Sequence, residues 1–259
     1  MSPLKMSLIG AGAAAAAGVV VMTQTLPDKD GAELTGAPAR ELCLKGDFAF
    51  FADIPAGCYS YEQIRNMANA PLVDRRGAKV TVNMTHPTDM SAAPVEVGNC
   101  RDYRKARFGG WYAPTSRDMR REAYFIRACG TLAMLSEAQE AKHAYFDNGS
   151  PRSGEIADLA AKMTFGEMSP TPGDVRVKKE QGHVWRISAG DISIAIHEIA
   201  NADFDNDGVE EILAFMAGAP QGGTAAFYEA GLLEKDAPEA ALAFTPFAFT
   251  GDEAGETGG

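Results

Sequence analysis

A chain of 259 residues that is 46% hydrophobic can bury a substantial core, so most of it is expected to fold. Its formal net charge of −11 repels polyanions at long range, which excludes general affinity for nucleic acid or anionic lipid.

Residues Met6 to Met22 carry no charged side chain, with Lys5 ahead and Asp28 and Asp30 behind. Gly10, Gly12 and Ala15 have the spacing of a dinucleotide-binding loop, with Asp30 where a ribose-binding carboxylate would fall. Such a loop must open a helix with one polar face, and this segment has none. It reads instead as a signal peptide or signal anchor over residues 1–22, which predicts export to the periplasm or cell envelope. Met22 to Thr25 suit signal peptidase poorly, so retention in the inner membrane by residues 6–22 stays open, although a run this rich in Ala and Gly is a marginal span. Residues 23–40, rich in Pro, Gly and polar side chains, read as a flexible linker.

The folded part begins near Glu41. GDFAFFADIPAGC suggests a short strand and a turn, and Ser60 with Gln63 forms a capping box for a helix through YEQIRNMA. PLVDRRGAKVTVNM reads as a hairpin turning at Arg76-Gly77. CRDYRKARF is a short helix ending at Gly109-Gly110. A longer helix follows Thr115 or Ser116, with Met119, Ala123 and Ile126 on one inward stripe and Phe125, Cys129 and Leu132 on another. EIADLAAKM is a further amphipathic helix. After SPTPGD the pattern turns to strands: VRVKKEQGHVWRIS as a hairpin at Gln181-Gly182, then DISIAIHEIANADF, EEILAFMAG and, past PQGG, TAAFYEAGLLEKD. The expected class is α+β, a helical N-terminal part over residues 41–168 with one hairpin, followed by an antiparallel meander of about five strands over 169–250. Residues 251–259 read as a disordered tail.

Cys43, Cys58, Cys100 and Cys129 are even in number, as disulfides in an exported chain would be. Of three possible connectivities the sequence-local one, Cys43 with Cys58 and Cys100 with Cys129, is favoured, each bridge contributing roughly 3 kcal/mol. A zinc site without CxxC spacing and ordinary buried thiols are the alternatives.

ADFDNDGVEEIL, residues 202–213, starts like an EF-hand loop with Asp203, Asp205, Asp207 and Gly208, then departs from it: Ala214 stands where a bidentate Glu is needed, and the flanks alternate like strands. DxDxDGxxE, ending at Glu211, resembles the calcium hairpins of integrin-type FG-GAP and VCBS-like repeats, in which a loop between two antiparallel strands wraps the ion. The resemblance covers about a dozen residues and occurs once, so no propeller of such repeats is implied. It implies a structural calcium ion held by Asp203, Asp205, Asp207 and Glu211 through side chains and by Val209 through its carbonyl. Two carboxylates about 5 Å apart repel by roughly 3 kcal/mol at an effective dielectric near 20, which favours a cation wherever all four converge. The other reading is a solvated acidic turn whose side chains cap backbone amides.

His197-Glu198 opens HEIAN, but Asn201 occupies the place of the second histidine of a zinc protease and the segment reads as a strand. Cys58, just before a helix start, with His86 as base is the candidate for a thiol hydrolase. His143 and His183 read as isolated surface or packing residues. Between Cys100 and Cys129 lie seven arginines and one lysine against two aspartates and one glutamate, interleaved with aromatic residues. Arg104, Arg107, Arg117, Arg120, Arg121 and Trp111 are thus candidates for binding an anionic ligand or an acidic partner from the envelope, or else solvated helix faces paired within the molecule. The leading expectation is an exported, non-enzymatic binding or adaptor protein. An envelope thiol hydrolase and a membrane-anchored structural component are the alternatives.

Overall fold

The computed structural model describes residues 41–46, 56–74, 76–89, 91–163, 175–221 and 226–247. The signal or anchor segment, the linker, the strand expected after Gly46, the SPTPGD stretch, the two glycines of the PQGG turn and the tail lie outside them. In chain order the elements are β1 (Glu41–Leu44), β2 (Gly57–Ser60), α1 (Tyr61–Met67), β3 (Val82–Met84), β4 (Val95–Val97), α2 (Cys100–Phe108), α3 (Ser116–Glu137), α4 (Ser153–Lys162), β5 (Val175–Glu180), β6 (Val184–Ala189), β7 (Ile192–Ala202), β8 (Glu211–Pro220), β9 (Phe227–Glu234) and β10 (Ala243–Pro246).

These elements overturn the expected class of a helical N-terminal part followed by a five-stranded meander. Among the described residues ten strands stand against four α-helices, the first elements are strands, and the helices lie mid-chain. One sheet has eight strands, in the order β10-β9-β8-β7-β1-β2 with β6 and then β5 branching from β7; β3 and β4 pair separately. β1 and β2 escape a local reading because ELCL and GCYS are too short to show a period, and β1 pairs with Ala200 of a strand far along the chain.

The branch has a physical origin in β7. β8 occupies one edge of β7 along its length, while the other edge pairs with β6 over Ile192 to His197 and with β1 at Ala200. A bulge between Glu198 and Ala200 separates the two partners. The extra residue reverses which side chains face which layer. Ile192, Ile194 and Ile196 join Trp185, Ile187 and Met216 in a core covered by Ile156 and Leu159 of α4. Ile199, Ala200 and Ala202 join the opposite core, with Leu213 and Phe215, beneath Ile64 of α1 and Phe125, Leu132 and Leu135 of α3.

Local signals set the helix ends. The Ser60 side chain accepts from the Gln63 amide (3.2 Å) while Gln63 accepts from the Ser60 amide (2.7 Å), the expected capping box. Asn99 and Thr115 cap α2 and α3 in the same sense. Met119, expected to point inward, is 59% exposed; Asp118, beside the Thr115 cap, holds the buried position of that turn. Both disulfides form with the favoured connectivity. Cys43 and Cys58 face each other across β1 and β2, and Cys100 at the start of α2 joins Cys129 of α3. Two disulfides agree with an oxidising compartment. No helix among the described residues is long and apolar enough to cross a membrane.

Candidate metal centre

β7 and β8 pair up to Ala202 opposite Glu211, so residues 203–210 must reverse the chain. Two positions make the reversal possible: Asn206 at φ 69° and buried Gly208 at φ 92°, where Asn is the residue after Gly that best tolerates a left-handed backbone. The carboxylates tie the loop to itself. Asp203 accepts from the amides of Asn206 (2.7 Å) and Gly208 (3.0 Å), Asp205 from Asp207 (3.0 Å), Asp207 from Val209 (2.7 Å) and Glu211 from Phe204 (2.7 Å).

The loop is also fastened from outside. Gln139 and Asp203 exchange backbone hydrogen bonds of 2.8 and 3.0 Å, the Gly208 carbonyl accepts from Lys142 and His143, and the Glu210 amide donates to the His143 carbonyl. Phe204, 5% exposed, is packed in the helix-side core. His143, read as isolated, thus belongs to the frame of the loop through its main chain.

In this frame the carboxylate oxygens of Asp203, Asp205, Asp207 and Glu211 come within 4.8 Å of one another. Asp203 and Glu211 are buried, Asp205 and Asp207 exposed, so the cluster has an inner wall and an open side. Burial, and then repulsion by Asp205, Asp207 and Asp203, pushes the Glu211 carboxyl up to about 8 against the pull of the Phe204 amide. A buried acid that resists ionisation beside three other carboxylates fits a cation. Among the described residues one oxygen each of Asp205, Asp207 and Glu211 carries no hydrogen bond, leaving hard oxygen donors of the kind calcium and magnesium take. The two sequence readings of the loop therefore coexist: one oxygen of each of these three side chains caps an amide, and the other is uncommitted. The acidic cluster is a site that can take a metal ion.

Glu234 joins the same field. Its carboxyl is raised by burial and further by Asp205, Asp236 and Asp207. No local motif marks it, because it comes from β9, beside Leu233, the partner of Ile212 on β8.

The catalytic alternative loses its nucleophile: Cys58 is bridged to Cys43, and none of the four cysteines is free. His86 instead accepts from the amides of Asp89 (3.1 Å) and Thr88 (3.4 Å), with its ring edge on Trp111 at 5.5 Å. The glutamate of HEIAN is buried structure. The Glu198 side chain, fully enclosed, accepts from Lys45 Nζ (2.6 Å), Trp185 Nε1 (2.6 Å) and Ser150 Oγ, with Lys179 Nζ at 3.7 Å.

The arginine-rich segment forms an antiparallel pair of helices. Cys100 is bonded to Cys129, the Tyr103 ring lies 5.4 Å from Phe125, and Arg107 pairs with Glu122 at 3.4 Å, so the turn from Gly109 to Thr115 is a tip at the end away from the disulfide. Phe108 is 75% exposed there, and Met119 and Tyr112 are exposed as well. Apart from Arg107, none of Arg101, Arg104, Lys105, Arg117, Arg120 and Arg121 forms an ion pair among the described residues. Among the described residues Arg107 alone of these makes an internal pair, and Arg104, Arg117 and Arg120 are exposed.

No family model, curated protein or solved structure matches the chain.

Proposed function

We propose that the chain is an exported, periplasmic or envelope, non-enzymatic binding or adaptor protein. Its frame is fastened by two disulfides and by one calcium ion held by Asp203, Asp205, Asp207 and Glu211, with the Val209 carbonyl as a further ligand, and its α2–α3 tip meets an acidic partner. One observation carries the reading: in a chain of net charge −11, Arg104, Arg117, Arg120 and Arg121 form no ion pairs among the described residues, on the same two helices and turn as exposed Phe108, Tyr112 and Met119. Arginine rather than lysine, mixed with aromatic side chains and methionine, is the composition of protein interfaces, because the guanidinium fork matches carboxylates and binds water less tightly than an ammonium. The disulfide at the far end of the helix pair keeps the tip in one shape before a partner arrives.

The test is capture from envelope extract in the presence of calcium, with wild type beside the charge-reversed Arg117→Glu, Arg120→Glu, Arg121→Glu protein. The reversed protein is expected to lose the partner by at least about tenfold, with a folded state that still melts cooperatively, because these side chains form no ion pair among the described residues. Wild-type capture is expected to weaken between about 50 and 300 mM salt. Equal capture by both proteins removes the tip from the proposal. A free thiol at Cys58 in the denatured, non-reduced protein removes the disulfide frame and revives the hydrolase.

A further inference from the structure

On the sheet face that carries α3, a cavity of about 220 Å³ opens between that helix, β9 and the residues that end β10. Ala123, Ile126, Ala230 and Phe247 give it apolar walls, and Arg127 and Tyr228 give it polar ones. Arg127 is half-buried and forms no ion pair among the described residues. Its Nε is buried without a hydrogen-bond partner, and its guanidinium carbon lies 5.5 Å from the centre of the Tyr228 ring. Burial disfavours its charge, as the downward shift of its pKa records. A cation–π contact offsets part of that penalty. An arginine so placed is ordinarily matched by a carboxylate.

Glu229 also borders the cavity but does not supply that carboxylate. Side chains alternate along a strand. Ala230 is in the core beneath α3 and Tyr228 stacks on Phe215 of the same core, so the intervening Glu229 side chain leaves on the opposite face. The cavity therefore presents one guanidinium that is unmatched among the described residues, in a partly apolar setting. Its volume is below the roughly 300–1,000 Å³ of pockets for drug-sized ligands, which limits the guest to a compact molecule.

We infer that this cavity binds a small monocarboxylate, with the carboxylate on Arg127 and an aromatic or branched apolar body against Ile126, Ala230 and Phe247. It shares no residue with the acidic loop or the arginine tip, so its fate is independent of theirs.

Calorimetric titration of the full chain with phenylacetate, and with phenylacetamide as the uncharged match, tests the inference. Phenylacetate is expected to bind saturably, and the amide at least about tenfold more weakly, the usual effect of losing a charge-assisted hydrogen bond. Arg127→Gln is expected to lower phenylacetate affinity by a similar factor with little change in melting temperature, since the charge it removes has no ion pair among the described residues and only the Tyr228 ring beside it. The inference is overturned by equal binding of the two probes, by unchanged phenylacetate binding in Arg127→Gln, or by no saturable binding up to about 10 mM.

Discussion

Millimolar calcium added to chelator-treated protein is expected to raise its melting temperature by about 5–10 °C. The figure follows from binding to the folded state alone: a ligand at some 50 to 100 times its dissociation constant stabilises by about 2.5 kcal/mol, and a chain of this size shifts by about 2–4 °C per kcal/mol. A site with two exposed ligands fits a weak extracellular affinity, on the order of 0.1 mM, so about 5–10 mM calcium reaches that ratio. Identical melting curves with calcium and with chelator would reject the ion.

The Glu211 carboxyl adds a signature that a solvated turn lacks. Its folded pKa of about 8 lies above the ordinary 4.5, so between those values the metal-free folded chain binds more protons than the unfolded one. Metal-free stability accordingly falls as pH rises from about 4.5 to 8, and the ionised, repelled form is fully present only above that window. If calcium is the ion, it displaces this proton, so its stabilising effect is expected to grow from pH 6 to pH 8, with protons released on binding. Glu211→Gln separates the two contributions by sign: it raises the melting temperature of the chelated protein at pH 8 and abolishes the response to calcium. Asp205→Asn, on the exposed side, weakens calcium binding and leaves the chelated protein nearly unchanged. A Glu211→Gln protein that melts lower than wild type in chelator contradicts the assignment of Glu211 as a strained, uncompensated acid.

The loop is legible in the sequence because its carboxylates, its glycine and its flanking alternation all fall within a short stretch, and a strand–loop–strand reading needs no distant information. What the sequence hides is whatever that loop touches. Glu234 feels the loop's charge from another strand, and nothing in the sequence of residues 139–143 marks them as the loop's frame. The same limit governs the fold. Helical period alone places Met119 inward, but the Thr115 cap and buried Asp118 turn that first turn by one position. β1 has four residues and a partner set by a bulge in β7, which no window around Glu41 contains. Sequence spacing orders the arginines correctly along two helices. Whether they find acidic partners is a three-dimensional question, and the described structure leaves all but one unpaired.

Replacing Glu198 by alanine is expected to lower stability by about 3–5 kcal/mol, the usual effect of removing one partner from a buried ion pair. The residue closes the bulge of β7. Its two oxygens receive Lys45 from the end of β1, Trp185 from β6 and Ser150 from the turn before α4, while Lys179 of β5 bonds Ser150 and lies 4.7 Å over the Trp185 ring. Alanine leaves an enclosed indole N–H unpaired, two ammonium groups without their carboxylate and an empty volume where the side chain was, each a recognised source of large destabilisation. Glu198→Gln keeps the volume and one acceptor, so its smaller deficit isolates the charge. That deficit has a defined pH dependence. Burial already lowers the pKa of Lys45 despite the attraction of Glu198, and without the carboxylate it falls further, so the unfolded chain holds the Lys45 proton to higher pH than the folded one. The stability gap between Glu198→Gln and wild type should therefore narrow as pH rises from neutral toward the alkaline range. A gap that does not change with pH would mean that Lys45 is not held by Glu198. The calcium shift should persist in both variants, because none of the four carboxylates of the loop is bonded to Glu198; its loss would show that the bulge and the metal loop unfold as one unit rather than as neighbours on the same strand.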